Sequence, residues 1–154
     1  MSLVAALRAD SLDFPLFLHV LGAMILVGGL VASAGVLGFA RGDVRFLRLG
    51  YWSLATVAFP GWVLMRVGGE WIYRREHWDD LPEGIDLPGW LGTGKTIGDV
   101  GGLVLVVALV VGGVGLYRLR EGKGAGLLRL TLWLSVALLA ADVVAVWAMA
   151  GKPG

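Results

Sequence analysis

The chain has no cysteine, which excludes disulfides, iron–sulfur clusters and thiolate metal sites. Histidine is nearly absent as well, with only His19 and His77. With so few spare carboxylates besides, a closed metal site of several side-chain ligands is hard to assemble. Charge is sparse: Asp, Glu, Lys and Arg make up 16% of 154 residues, and the net charge is +1. That balance carries no basic footprint for nucleic acid. What fills the chain instead is apolar. Hydrophobic residues reach 57% and the mean hydropathy is +0.78, against an apolar share of roughly 45–50% in soluble domains. Glycine contributes 25 residues, much of it inside the apolar runs, where it lets membrane helices approach closely.

A bilayer crossing needs about 20 mainly apolar residues. Four segments meet that condition, over about 14–40, 46–69, 97–117 and 127–150. The expected fold is all-α: one polytopic domain, 1–154, built as a four-transmembrane-helix bundle. Asp13 reads as the cap of the first helix and Pro15 sits in its first turn. The connections set the orientation. Loop 41–48 carries Arg41, Arg45 and Arg48 against Asp43, and loop 118–129 carries Arg118, Arg120, Lys123 and Arg129 against Glu121. Short basic loops stay cytoplasmic, so both termini and the acidic 70–96 loop face outside a cell membrane. That outer loop is expected to be partly ordered. Trp71, Tyr73, Trp78 and Trp90 suit a headgroup region, with a short interfacial helix over about 71–80 and a turn-rich stretch through Pro82, Gly84, Pro88 and Gly89.

Gly89-Trp90-Leu91-Gly92-Thr93-Gly94-Lys95-Thr96 matches the phosphate-loop pattern G-x-x-x-x-G-K-[ST]. The pattern holds nucleotide when a strand of a parallel sheet feeds it into a helix. Here Pro88 precedes it, no βαβ sequence surrounds it, and a membrane span follows, so no nucleotide is expected. The alternative is a capping box, with Thr96 as cap of the third span and Asp99 reaching back.

Ionisable residues at membrane depth are costly and face a bundle interior or an aqueous cavity. His19, Arg66, Asp99 and Asp142 lie within spans, with Glu70 at a boundary, and all five fall in the outer half. By helical rise His19 lies about 8 Å deep and Asp142 about 10 Å deep, so the two can meet. His19 shares a face with Gly22, Leu26, Gly29 and Ser33, and Asp142 with Thr131, Ser135, Ala145 and Met149. Ser53, Thr56 and Pro60 mark a third packing face, with Pro60 removing a hydrogen bond to Thr56. Arg66 can pair with Glu70 or stack on Trp62. Two readings of the cluster compete. In one, a His19–Asp142 hydrogen bond fixes packing. In the other, His19 is a haem b or metal ligand oriented by Asp142, with Met65 or Met149 as the second haem ligand, or part of a proton relay.

The run Phe17-Leu18-His19-Val20-Leu21-Gly22-Ala23-Met24-Ile25-Leu26-Val27-Gly28-Gly29 resembles the first helix of small bacterial membrane proteins related to the copper-resistance D family, and above all the predicted integral membrane proteins catalogued as DUF2269. The close, Trp147-Ala148-Met149-Ala150-Gly151-Lys152-Pro153-Gly154, is also similar to that family's ending. The resemblance implies a four-helix membrane bundle with His19 as its signature polar residue, and copper handling in the wider family. The Met- and His-rich outer segments of a copper importer are absent. Two function classes stay open: a non-catalytic bundle acting by self-association or as an accessory subunit of a larger membrane complex, and a redox or transport protein using His19.

Overall fold

The computed structural model describes residues 12–80, 86 and 88–151. Pro82 and Gly84 of the expected turn-rich stretch, and Lys152, Pro153 and Gly154 of the family-like ending, lie outside the described residues. All regular structure described is helical: α1 (Asp13–Phe39), α2 (Val44–Ser53), α3 (Phe59–Arg75), α4 (Gly89–Leu119) and α5 (Ala125–Gly151), with a π-helical segment Leu54–Ala58 joining α2 to α3. Among the described residues three helices, α1, α4 and α5, are long and apolar enough to cross a membrane. At 27, 31 and 27 residues each exceeds the roughly 20 a hydrocarbon core requires. The fourth helical path, 44–75, is continuous but composite. Its α pieces of 10 and 17 residues each fall short alone, and the π segment divides them.

The termini of these helices correct several expectations. Asp13 is the first residue of α1 rather than its cap, and Leu12 at the cap position makes no side-chain bond. Asp43 does cap α2, accepting from the Arg45 amide at 2.8 Å, which satisfies one of the amides a helix start leaves open. The preceding turn needs left-handed backbone at Arg41 (φ 43°) and Gly42 (φ 89°). α3 runs on through Trp71 to Arg75, so the expected separate interfacial helix is a continuation of α3 followed by turns over 76–80. α4 begins at Gly89, eight residues before the expected start, with Pro88 as the extended cap. Thr96 and Asp99 therefore lie inside a helix and form no capping box. The phosphate-loop lookalike is the first turns of α4, and the Leu91 and Gly92 amides are already bonded to the Pro88 carbonyl.

Packing explains the glycine content. α1 lies antiparallel to α3 so closely that the backbones touch: a Cβ at Gly22 would strike the Met65 backbone, one at Gly29 that of Ala58, and one at Gly61 that of Leu26. α5 packs against both α1 and α4, while contact between α3 and α4 is sparse. The central core is Leu26, Leu30, Leu54, Ala58, Leu105, Ala108 and Leu138. A second cluster, Leu37, Ala40, Leu47 and Leu128, closes the end that carries the 40–43 and 120–124 turns, here called the loop end.

The residue distribution is inverted relative to a water-soluble bundle. Ser33, Thr131 and Ser135 are fully buried, while Met24, Leu103, Val110 and Trp147 are each more than 60% exposed. Such a surface suits hydrocarbon, because between membrane helices small and hydroxylated residues supply the close contacts. The expected α1 and α5 faces hold: Gly22, Leu26, Gly29 and Ser33 are buried, as are Thr131 and Ser135. The expected third face does not. Thr56 and Pro60 point outward, and Leu54, Ala58, Gly61 and Gly68 turn inward instead. The Ser53 and Thr56 hydroxyls donate to the carbonyls four residues back, Leu49 at 3.0 Å and Trp52 at 2.8 Å, and so need no partner helix.

Candidate functional site

At the opposite end, where α1 and α4 begin and α3 and α5 finish, the helices enclose a cavity of about 390 Å³. Its wall is largely apolar, and the polar groups in it include His19 from α1, Arg66, Glu70 and Tyr73 from α3, Glu76 at the end of α3, Lys95 from α4 and Asp142 from α5. Met65 and Met149 line it too, and Trp78 and Trp90 stand at its edge. Of the five residues of the expected polar cluster, four line this one cavity. Asp99 does not, but it reaches the site through Arg66.

His19 is seated by glycine. Gly68 lets the α1 backbone approach α3, and Gly69 leaves the notch that takes the imidazole: a Cβ there would sit 3.0 Å from Nδ1 and 3.2 Å from Cε1. In that notch Nδ1 is 2.8 Å from the Met65 carbonyl oxygen. A carbonyl only accepts, so Nδ1–H donates, and in the neutral ring Nε2 keeps its lone pair. This replaces the expected His19–Asp142 hydrogen bond. A backbone acceptor is available because the glycines strip side-chain cover from α3 at that level. Asp142, which lines the same cavity, has a buried Oδ2 with no hydrogen-bond partner among the described residues. That the two face one space was legible from spacing; the bond between them was not.

Arg66 pairs with Asp99 across the α3–α4 seam, not with Glu70 or Trp62. Glu70 instead accepts from Arg74 Nε at 3.1 Å, one turn on. Trp62 also crosses the seam: its Nε1–H donates to the Gly98 carbonyl at 3.2 Å, and its ring fills the space left at Gly102. Lys95 Nζ sits 3.9 Å from the centroid of the Tyr73 ring. Three polar contacts thus bridge a pair of helices that pack only sparsely. Below the edge, the Tyr73 hydroxyl donates to the Trp78 carbonyl at 3.2 Å and Trp78 Nε1 donates to Glu76 at 2.7 Å, folding the 76–80 turn back towards the cavity. Gly68 and Gly69, Gly94 against Met149, and the Trp62–Gly98 bond escaped the sequence reading. The adjacent Gly68-Gly69 pair, one residue before Glu70, was the available signal.

Arg66 and Lys95 bring donors to the wall, but both already face protein partners, Asp99 and the Tyr73 ring, so what the cavity leaves open is acceptance of hydrogen bonds. Nε2 of His19 and Oδ2 of Asp142 are both acceptors without a partner among the described residues. No group of three His, Asp or Glu side chains among the described residues could hold a metal ion. Imidazole and thioether are present on one cavity, the ligand types of a six-coordinate haem iron. No family model, curated protein or solved structure matches the chain.

Proposed function

We propose that this chain is a four-span integral membrane protein that binds rather than transforms: a non-catalytic bundle, alone or as an accessory subunit, holding an amphipathic small molecule in the cavity beside His19. The composite helix 44–75 is the fourth crossing in this reading. Basic loops keep the loop end cytoplasmic and place the cavity in the outer half. The observation that carries the reading is the unpartnered carboxylate oxygen of Asp142 in the same apolar-walled cavity as His19 Nε2. A buried polar atom without a partner is destabilising, and a bound head group that donates hydrogen bonds removes that penalty. The volume lies within the range of small-molecule sites, about 300–1,000 Å³. The preferred occupant therefore has an apolar body and a donating head, such as an amine.

The test compares a medium-chain primary amine with the carboxylate of equal chain length in thermal melts of the purified full chain. The amine is expected to raise the midpoint and the carboxylate to leave it unchanged, with Asp142→Asn abolishing the difference. Equal shifts by both probes would defeat the reading.

A second reading is favoured by the bond from His19 Nδ1 to a carbonyl, the arrangement that fixes an imidazole for ligation through its other nitrogen. With Met65 or Met149 as a further ligand, His19 Nε2 would hold haem b, which would supply one-electron chemistry. A Soret band in the purified protein that disappears in His19→Ala establishes it; a colourless protein eliminates it.

A further inference from the structure

A second concavity lies outside the bundle, on the surface of the α3–α4 seam, with a volume of about 860 Å³. It is lined by Arg66, Glu70, Trp71, Arg74, Arg75 and Lys95, with Val67 at its base. Two of its four cations are neutralised, Arg66 by Asp99 and Arg74 by Glu70. Lys95 sits over the Tyr73 ring, and neither it nor Arg75 has a carboxylate partner among the described residues. The groove therefore carries positive charge in excess, at the level where α3 leaves the apolar core and Trp71 stacks edge-on with Phe14 at 6.0 Å. Tryptophan at that level marks a headgroup boundary. Below the Arg66–Asp99 pair the surface turns apolar at once. Val63, one turn before Arg66, is 38% exposed, and Leu103, one turn after Asp99, is 67% exposed.

A cationic rim over a lipid-facing apolar strip, on a seam where two helices pack sparsely, has the polarity of a single phospholipid. We propose that the α3–α4 seam is a binding site for an anionic phospholipid, with its phosphate on Arg75 and Lys95 and an acyl chain along Val63, Val67 and Leu103. Arg66, Glu70 and Lys95 also line the internal cavity, so the two sites share a wall; Arg75 belongs to the groove alone, and its variant separates the groove from whatever fills the cavity. Charge selects the headgroup: each cation near a membrane surface attracts anionic lipid measurably, and guanidinium forks match phosphate oxygens. A zwitterionic lipid of the same chains gains the apolar contact but not the charge.

Native mass spectrometry of the full chain, titrated with phosphatidylglycerol or phosphatidylcholine of identical acyl chains, tests this. Phosphatidylglycerol is expected to be retained preferentially, and Arg75→Gln with Lys95→Gln to weaken it about tenfold. Arg118→Gln with Arg120→Gln, the same charge loss at the loop end, is expected to leave it unchanged. Arg75→Gln alone, at an exposed residue, is expected to show a partial loss, which keeps the test valid if the double change impairs folding. Equal retention of the two lipids, or equal loss in the loop-end control, would overturn the site. Displacement by inorganic phosphate at the concentration that saturates phosphatidylglycerol would overturn the lipid as its source.

Discussion

The two ends of the bundle are built from similar helices and differ in how their polar atoms are treated. At the loop end the buried hydroxyls of Thr131 and Ser135 donate to the carbonyls of Leu127 and Thr131, at 3.0 and 2.9 Å. Around them Leu37, Ala40, Leu47 and Leu128 close the core. At the cavity end the polar atoms are larger, come from four helices, and leave a carboxylate oxygen unmatched. Ser33, Thr131 and Ser135 are all buried towards the loop end. Polarity is thus present at both ends. Each end leaves one buried oxygen unmatched, Ser33 Oγ at the loop end and Asp142 Oδ2 at the other; the difference is that only Asp142 borders a cavity. Unsatisfied polarity combined with space is the mark of a site rather than of packing.

Glycine substitutions give the largest contrast. Gly22→Ala drives a methyl into the Met65 backbone, where no rotamer change gives relief. It should destabilise by about 3 kcal/mol or prevent folding, read as the melting midpoint in detergent. Gly50→Ala at the loop end meets the branched Leu37 side chain, 2.6 Å from its Cγ and 3.2 Å from its amide nitrogen, and should cost about 1–2 kcal/mol. Gly94→Ala at the cavity end meets only the flexible tail of Met149, which can swing into the cavity. Helix propensity returns up to about 1 kcal/mol, so that change should be near neutral. A Gly94→Ala loss as large as that of Gly50→Ala would erase the distinction between a filled end and an open one.

The orientation of the two ends is checked by single thiols, since the chain has no cysteine of its own. Asp79→Cys at the cavity end should react with an impermeant maleimide from outside intact cells, and Glu121→Cys only after permeabilisation. The reverse labelling would invert the topology, and labelling of both from outside would remove a crossing. The smallest effect belongs to the seam. Asp99 is 49% exposed, so Asp99→Asn should cost less than about 1 kcal/mol, the range of exposed ion pairs. That loss should shrink as salt is raised; a salt-independent loss above that would show the pair to be buried in use.

Periodicity disclosed the inward faces of α1 and α5 because their small and hydroxylated residues recur at helical spacing and have no other role. It misjudged the 44–75 helix for two physical reasons. The Ser53 and Thr56 hydroxyls are satisfied within their own helix, and the π segment shifts the register so that Leu54, Ala58 and Gly61 face the core. Hydropathy missed the first eight residues of α4, since glycines and Lys95 dilute it. Tertiary contacts hold them instead, Gly94 to Met149 and Lys95 to Tyr73. At the site, spacing along the spans was enough to assign His19 and Asp142 to one cavity. What spacing leaves out is competition from backbone: once Gly69 bares the Met65 carbonyl, His19 has a fixed acceptor nearby, and Asp142 is left without it.

The central claim is that Asp142 is retained for binding at the expense of stability. The direct measurement is the melting midpoint of Asp142→Leu beside the parent chain, each with and without the medium-chain amine. Removing an unmatched buried carboxylate should raise the midpoint of the free protein and abolish the response to the amine. A lowered midpoint with the amine response intact would contradict the account, because Asp142 would then be a packing residue and the cavity only a gap.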